Sequence, residues 1–231
     1  MKFQYLILFL FALSLLFLSG CELDVLNHEK KQKEENGSTV EEDEIKYNTI
    51  QIGNQVWMDK NLNIGEMILA GELASNNNLI EKYCYHNDTA LCSVYGGLYS
   101  WAELMKYNFL EGSQGICPDG WHVPSVSDWH ILINYLGGTN QAGGKLKEPG
   151  TTNWKSPNLI SDETSIFTAL PSGYFNAQVN QFQGIEESTY LWSSSGNGAF
   201  SWGIFLQHSD STTVILSNPI QSGLPLRCIK N

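Results

Sequence analysis

Residues 1–20, "MKFQYLILFLFALSLLFLSG", form one apolar run behind a single Lys. Residues 22–45, "ELDVLNHEKKQKEENGSTVEEDEI", reverse the pattern at once, with nine acids, three Lys and no aromatic ring. The first run approaches the length that spans a bilayer. It opens on a positive charge, ends in small residues and is followed by acids, where a stop-transfer helix carries bases, so it reads as a secretory signal. The second stretch cannot bury enough apolar area to offset its ordering entropy and reads as a disordered tether. From residue 47 on, apolar and polar positions mix as they do in one folded domain of residues 47–231.

Within that domain the periodicities predict particular elements. "NTIQIGNQVWMDKNLN" (48–63) holds two short strand-like runs around Gly53-Asn54, the pattern of a hairpin. Residues 67–92 are irregular and Asn-rich, and read mostly as loop. Leu98, Trp101, Ala102, Leu104 and Met105 have helical spacing and predict a helix from about residue 97 to 107. Ser125 followed by Asp128 predicts a capped helix start, with Trp129, Leu132, Ile133 and Leu136 as the apolar face and Gly137 as the stop. "NQAGGKLKE" (140–148) predicts a short helical turn, and beyond Thr151 the chain reads as strands and turns. The class is α+β and loop-rich, with two or three short helices packed on twisted antiparallel strands.

Charge removes one class of partner. The net charge is −11, and the tether supplies −6 of it, three Lys against nine acids. The folded part is acidic as well, so no basic face is available for nucleic acid. Anionic headgroups repel such a tether and extend it from a membrane surface.

Five cysteines divide into one and four. Cys21 closes "LSGC" at the end of the apolar run, the pattern of a bacterial lipobox. There the thiol takes a diacylglyceryl group, and cleavage before it leaves an acylated amino terminus, enough chains for stable anchoring. Glu22, rather than Asp, follows, which favours the outer membrane. Residues 21–46 are therefore read as lipidated Cys plus tether, with the partner a membrane reached through the lipid. The remaining Cys84, Cys92, Cys117 and Cys228 are an even number in an exported chain and imply disulfides, with three pairings open. Cys84 and Cys92 bracket a short polar loop, which points to a local staple and to Cys117–Cys228 as the long one. A long cross-link of that kind removes about 4–5 kcal/mol of unfolded-state entropy in the loop-closure model.

A series of blocks resembles one known family, the Fibrobacter succinogenes major paralogous domain. They are "IGNQVWMDKNLN" (52–63), "YGGLYSW" (95–101), "CPDGWHVPSVSDWHIL" (117–132), "LGGTNQAGGKLKE" (136–148), "FTALPSGYF" (167–175), "LWSSS" (191–195) and "LPLRCIKN" (224–231). The resemblance implies a fold similar to the C-type lectin-like and formylglycine-generating-enzyme group, carried by "VPSVSDW" (123–129) and "LRCIKN" (226–231). It implies an exported, often lipid-anchored protein and no defined activity. The related enzymes hold copper with two cysteine thiolates near the carboxyl end. Between Thr151 and Asn231 this chain has only Cys228, so the resemblance does not carry that chemistry across.

The remaining candidate chemistry is thin. His122 and His130 stand eight apart across a proline, which is no ligand spacing, and Asp128 is accounted for as a cap. Trp121 and Trp129 read as core. Glu186-Glu187 lies in a polar stretch and reads as solvated loop. No nucleophile-elbow, zinc-helix or phosphate-loop motif occurs, and "HSDS" supplies one Asp where calcium needs several oxygens. No metal and no cofactor is expected. Asn- and Ser-rich loops with aromatic residues suit a binding module, for which Tyr190, Trp192 and Trp202 are the candidates, each competing with burial in the core. The expectation is a lipid-anchored cell-envelope protein with a non-catalytic recognition or adhesion domain for a glycan or surface protein. A structural role in a surface assembly and an enzyme of the related fold are the alternatives.

Overall fold

The computed structural model describes residues 47–160 and 165–231. The signal, Cys21 and the tether lie outside the described residues. Strands β1 (Thr49–Ile52) and β2 (Gln55–Met58) pair antiparallel. The two residues between them, Gly53-Asn54, turn the chain tightly, and Gly53 takes a φ of 60° that favours glycine. The short strand β3 (Glu66–Met67) pairs in parallel with β4 (Glu81–Lys82). A 3-10 turn (Tyr85–Asn87) then leads into α1 (Thr89–Tyr95), capped by the Asp88 side chain, which accepts from Ala90 N. Helix α2 (Trp101–Leu104) and strand β5 (Trp121–His122) follow.

Helix α3 (Val126–Tyr135) starts on the predicted box: Ser125 Oγ accepts from Asp128 N at 3.2 Å, and Asp128 Oδ2 accepts from Ser125 N at 2.8 Å. Its face buries Trp129, Leu132 and Ile133. Helix α4 (Thr139–Leu146) packs so closely on the 211–212 backbone that a Cβ at Gly143 would lie 2.0 Å from Thr212 O. The rest of the described chain is β6 (Ser172–Asn176), β7 (Gln181–Ile185), β8 (Ser188–Gly196), β9 (Phe200–Gln207), β10 (Val214–Pro219) and β11 (Ile229–Lys230).

Two larger sheets result, with orders β1-β2-β11-β5 and β10-β9-β8-β6-β7. In the first, the closing strand sits between the opening hairpin and β5. In the second, β6 runs parallel to β8. The class is α+β as expected, but the strands are mixed, since β3–β4 and β6–β8 are both parallel. The described residues also hold four α-helices where two or three were expected. The helix expected at 97–107 shrinks to 101–104. Leu98 and Tyr99 are spent on bridges to Tyr83 and Leu224, and Lys106 and Tyr107 turn the chain with positive φ.

One core cluster lies where α3 and α4 meet both sheets: Trp57 stacks on Trp129 at 4.6 Å, with Phe167, Leu191, Ile204 and Leu206 around them. A second gathers Tyr99, Trp101, Leu104, Trp192, Leu224 and Leu226 around the Cys117–Cys228 disulfide. Full burial of such side chains contributes about 1.5–3 kcal/mol each.

Lys147, just past α4, is fully buried. Its ammonium donates to the carbonyls of Gln207 and Asp210, both at 2.8 Å, and of His208 at 3.4 Å. It also lies 5.4 Å from the centre of the Trp154 ring. The end of β9 and the turn after it are thereby clamped to α4.

Candidate functional site

The cysteines pair as the spacing indicated. Cys84–Cys92 staples the turn to α1, and Cys117–Cys228 joins the loop before β5 to the closing segment across 111 residues. With both pairs closed, none of these four sulfurs is a thiolate. Among the described residues no group of three His, Cys, Asp or Glu could hold a metal ion, and no helix is long and apolar enough to cross a membrane.

Within the histidine-rich stretch, His122 and Asp128 are tied into hydrogen bonds. His122 Nε2 lies 3.5 Å from Asp128 Oδ2, and His122 Nδ1 lies 2.7 Å from Asn231 Oδ1. Asp128 Oδ2 also accepts from Ser125 Oγ at 2.6 Å. The carboxylate therefore sits between imidazole and hydroxyl, so the imidazole cannot act as base on that hydroxyl. The hydrogen bond with Asp128 raises the His122 pKa above its ordinary value against the effect of burial. Burial alone would push Asp128 up, but hydrogen bonds from His122 and Ser125 pull it down. His130 is exposed, and Trp121 is half-buried where core was expected. Glu186 and Glu187 are exposed, with Glu187 paired to Lys155 Nζ.

Of the three aromatic candidates, Trp192 is corrected. It is 0 % exposed, and its indole N–H donates to Tyr99 O at 2.8 Å, so it has no face for a ligand. Both sides of β8 are covered here, which alternation along one strand does not show. Trp202 on β9 is 40 % exposed. Tyr190 is half-buried and belongs to a larger arrangement.

Strand register sets that arrangement. Tyr190 faces Phe205 across β8 and β9, and Phe205 faces Val214 across β9 and β10. On the other side β6 runs beside β8 in parallel, and Tyr174 faces Gln183 on β7. The Tyr174 and Tyr190 rings meet edge-on at 4.9 Å, and the Tyr190 and Phe205 rings are tilted at 4.6 Å. The Tyr174 hydroxyl donates to Gln183 Oε1. One row thus crosses the whole sheet as Val214, Phe205, Tyr190, Tyr174, Gln183. The three rings are half-buried and Val214 is 42 % exposed.

Tyr174 and Tyr190 pack from below on the cluster holding Trp192 and the long disulfide. Burial, then the neighbouring Tyr174, push the Tyr190 hydroxyl up, so it stays neutral at physiological pH. Rings fixed in this way offer apolar edges and faces with a polar tip at one end, and bind at little cost in side-chain entropy. Tyr174 and Phe205 were not among the sequence candidates. Phe205 becomes visible only through the β8–β9 register and Tyr174 only through the parallel β6–β8 pairing, for which the sequence carries no local signal.

No curated protein and no solved structure matches the chain. The family model described as the Fibrobacter succinogenes major domain matches residues 50–230, and the chain belongs to that family.

Proposed function

We propose that the domain is a non-catalytic recognition module of the cell envelope that binds a glycan on the Tyr174–Tyr190–Phe205 row. The row is the observation that carries this reading. Sugar rings present apolar C–H faces that lie on aromatic rings, and the Gln183 amide and tyrosine hydroxyls are placed to bond sugar hydroxyls. Two disulfides and a Trp-rich core hold the platform rigid beneath its ligand. The signal-like run and Cys21 support export, lipid anchoring and an outer-membrane location, with the tether holding the domain off the surface. The short helices, and a closing strand laid beside the opening hairpin, support a C-type lectin-like fold.

A glycan array with the purified domain tests the reading. A subset of glycans is expected to bind, and Tyr190→Ala and Phe205→Ala should each weaken them about tenfold, ~1.4 kcal/mol, with unchanged circular dichroism. Binding that ignores both substitutions, or an array with no hits, removes the glycan reading.

One observation favours a surface assembly as a second reading. β10 is an edge strand of its sheet and carries Val214 and Leu216, both exposed, on the row's side. Concentration-dependent self-association that Leu216→Lys abolishes is the expected outcome of that reading.

A further inference from the structure

Arg227 is the side chain whose burial the recognition row does not explain. It lies between Leu226 and the disulfide-bonded Cys228, and only 1 % of it is exposed. Its Nη1 donates to Phe167 O, its Nε reaches Asn61 Oδ1 at 3.4 Å, and its Cζ stands 4.1 Å from the centre of the Phe167 ring. Among the described residues no carboxylate is within ion-pair distance of it, and Nη2 has no hydrogen-bond partner. Asp59 acts on it only from farther away. A buried guanidinium left in this condition is costly, and its planar fork matches a carboxylate.

Arg227 forms part of the wall of a cleft of about 400 Å³, within the range of small-molecule sites. Lys60, Asn61 and Tyr95 line it, as do two acids, Asp59 and Glu148. Thr168 on the same wall holds a φ of 48°, a backbone region that β-branched residues avoid and that clusters at binding sites. The formal charges in the wall, Lys60 and Arg227 against Asp59 and Glu148, cancel, and none of the four is ion-paired among the described residues. A simple anion meets the acids unfavourably. A ligand with both charges satisfies both.

We propose that this cleft binds a small zwitterion of amino-acid size, its carboxylate on Arg227 and its ammonium toward Asp59 and Glu148. This site goes beyond the glycan reading and stands or falls separately from it.

Thermal unfolding of the whole domain with and without alanine tests it, with propionate and alanine amide as arms that lack one charge each. Alanine should raise Tm by about 3–6 °C at ten times its Kd. Propionate and the amide should do much less, and Arg227→Met should abolish the alanine shift. Glu148→Gln, on the half-exposed part of the wall, keeps the test open if Arg227→Met does not fold, and should weaken alanine binding several-fold. The proposal is overturned by no alanine shift, by equal shifts with propionate, or by a shift that survives both substitutions.

Discussion

Lys147 and Arg227 are both buried cations, both lowered in pKa by burial, and both set against an aromatic ring. They differ in what meets the charge. The Lys147 ammonium has three donors and faces three carbonyls, so its hydrogen-bonding capacity is used up inside the protein. The Arg227 guanidinium has five donors, and the described residues occupy two of its nitrogens, one of them by a long contact. A satisfied buried cation is a clamp. One with donors in reserve beside a cleft is a receptor. Burial alone does not separate the two cases.

The largest expected effect is on stability. Lys147→Met removes the short donor shared by the carbonyls of Gln207 and Asp210, and leaves Gln207 O with a 3.4 Å contact from Asp210 N. It should cost about 2–4 kcal/mol, read as a lower urea midpoint. Arg227→Met forfeits one bond to a carbonyl but removes a desolvated charge that lacks a close counter-ion, and should shift stability by no more than about 1 kcal/mol. Equal losses in the two variants would erase the distinction between clamp and receptor.

The pH dependence separates them next. Burial pushes Lys147 down to about 8 from 10.5. Between those values the unfolded chain holds more protons than the folded one, so stability rises with pH. Tyr83, pushed up to about 12 by burial and then by Glu81 and Glu72, acts the other way above 10, where the unfolded chain deprotonates first. Melting temperature in the wild-type protein should therefore climb from pH 8 to about 10 and then turn over. Lys82, lowered by burial, adds a smaller rise that persists in every variant. Arg227, lowered by burial to about 9, adds its own rise only above that pH, so Lys147→Met should lose the climb between pH 8 and 9 and Arg227→Met should retain it.

Legibility in the sequence follows the same division between local and distant partners. The Gly53-Asn54 hairpin and the Ser125–Asp128 box are local, and both are read correctly. Helix α1 carries a local signal too: Asp88 followed by Thr89 is an acceptable cap, masked by the Asn-rich run before it. Strand β7 is polar enough to pass for loop, because only its pairing with β6 makes it a strand. Trp192 lies in a strand whose alternation is lost because it is covered on both sides. Tyr190 was legible as an aromatic in a strand, whereas its neighbours Tyr174 and Phe205 depend on register. The Arg227 cleft was missed altogether. Asp59 and Asn61 follow β2, Thr168 precedes β6, and Arg227 lies near the end of the chain, so nothing in any one segment marks them as neighbours.

The smallest expected effect tests the receptor side alone. Asn61 accepts from Arg227 Nε and donates from Nδ2 to Tyr95 O at 2.9 Å. Asn61→Asp keeps the shape, places a carboxylate against the guanidinium and gives up the bond to Tyr95 O. The new ion pair and the orphaned carbonyl oppose each other, so stability should change by less than about 1 kcal/mol. The consequence for binding is larger in proportion. Once Arg227 has a resident counter-ion it resembles Lys147, and a ligand carboxylate must compete for its donors. The thermal shift with alanine should then shrink while the fold, by circular dichroism and urea midpoint, stays as it was. If the shift is undiminished, the reserve of donors on Arg227 is not what the cleft binds with.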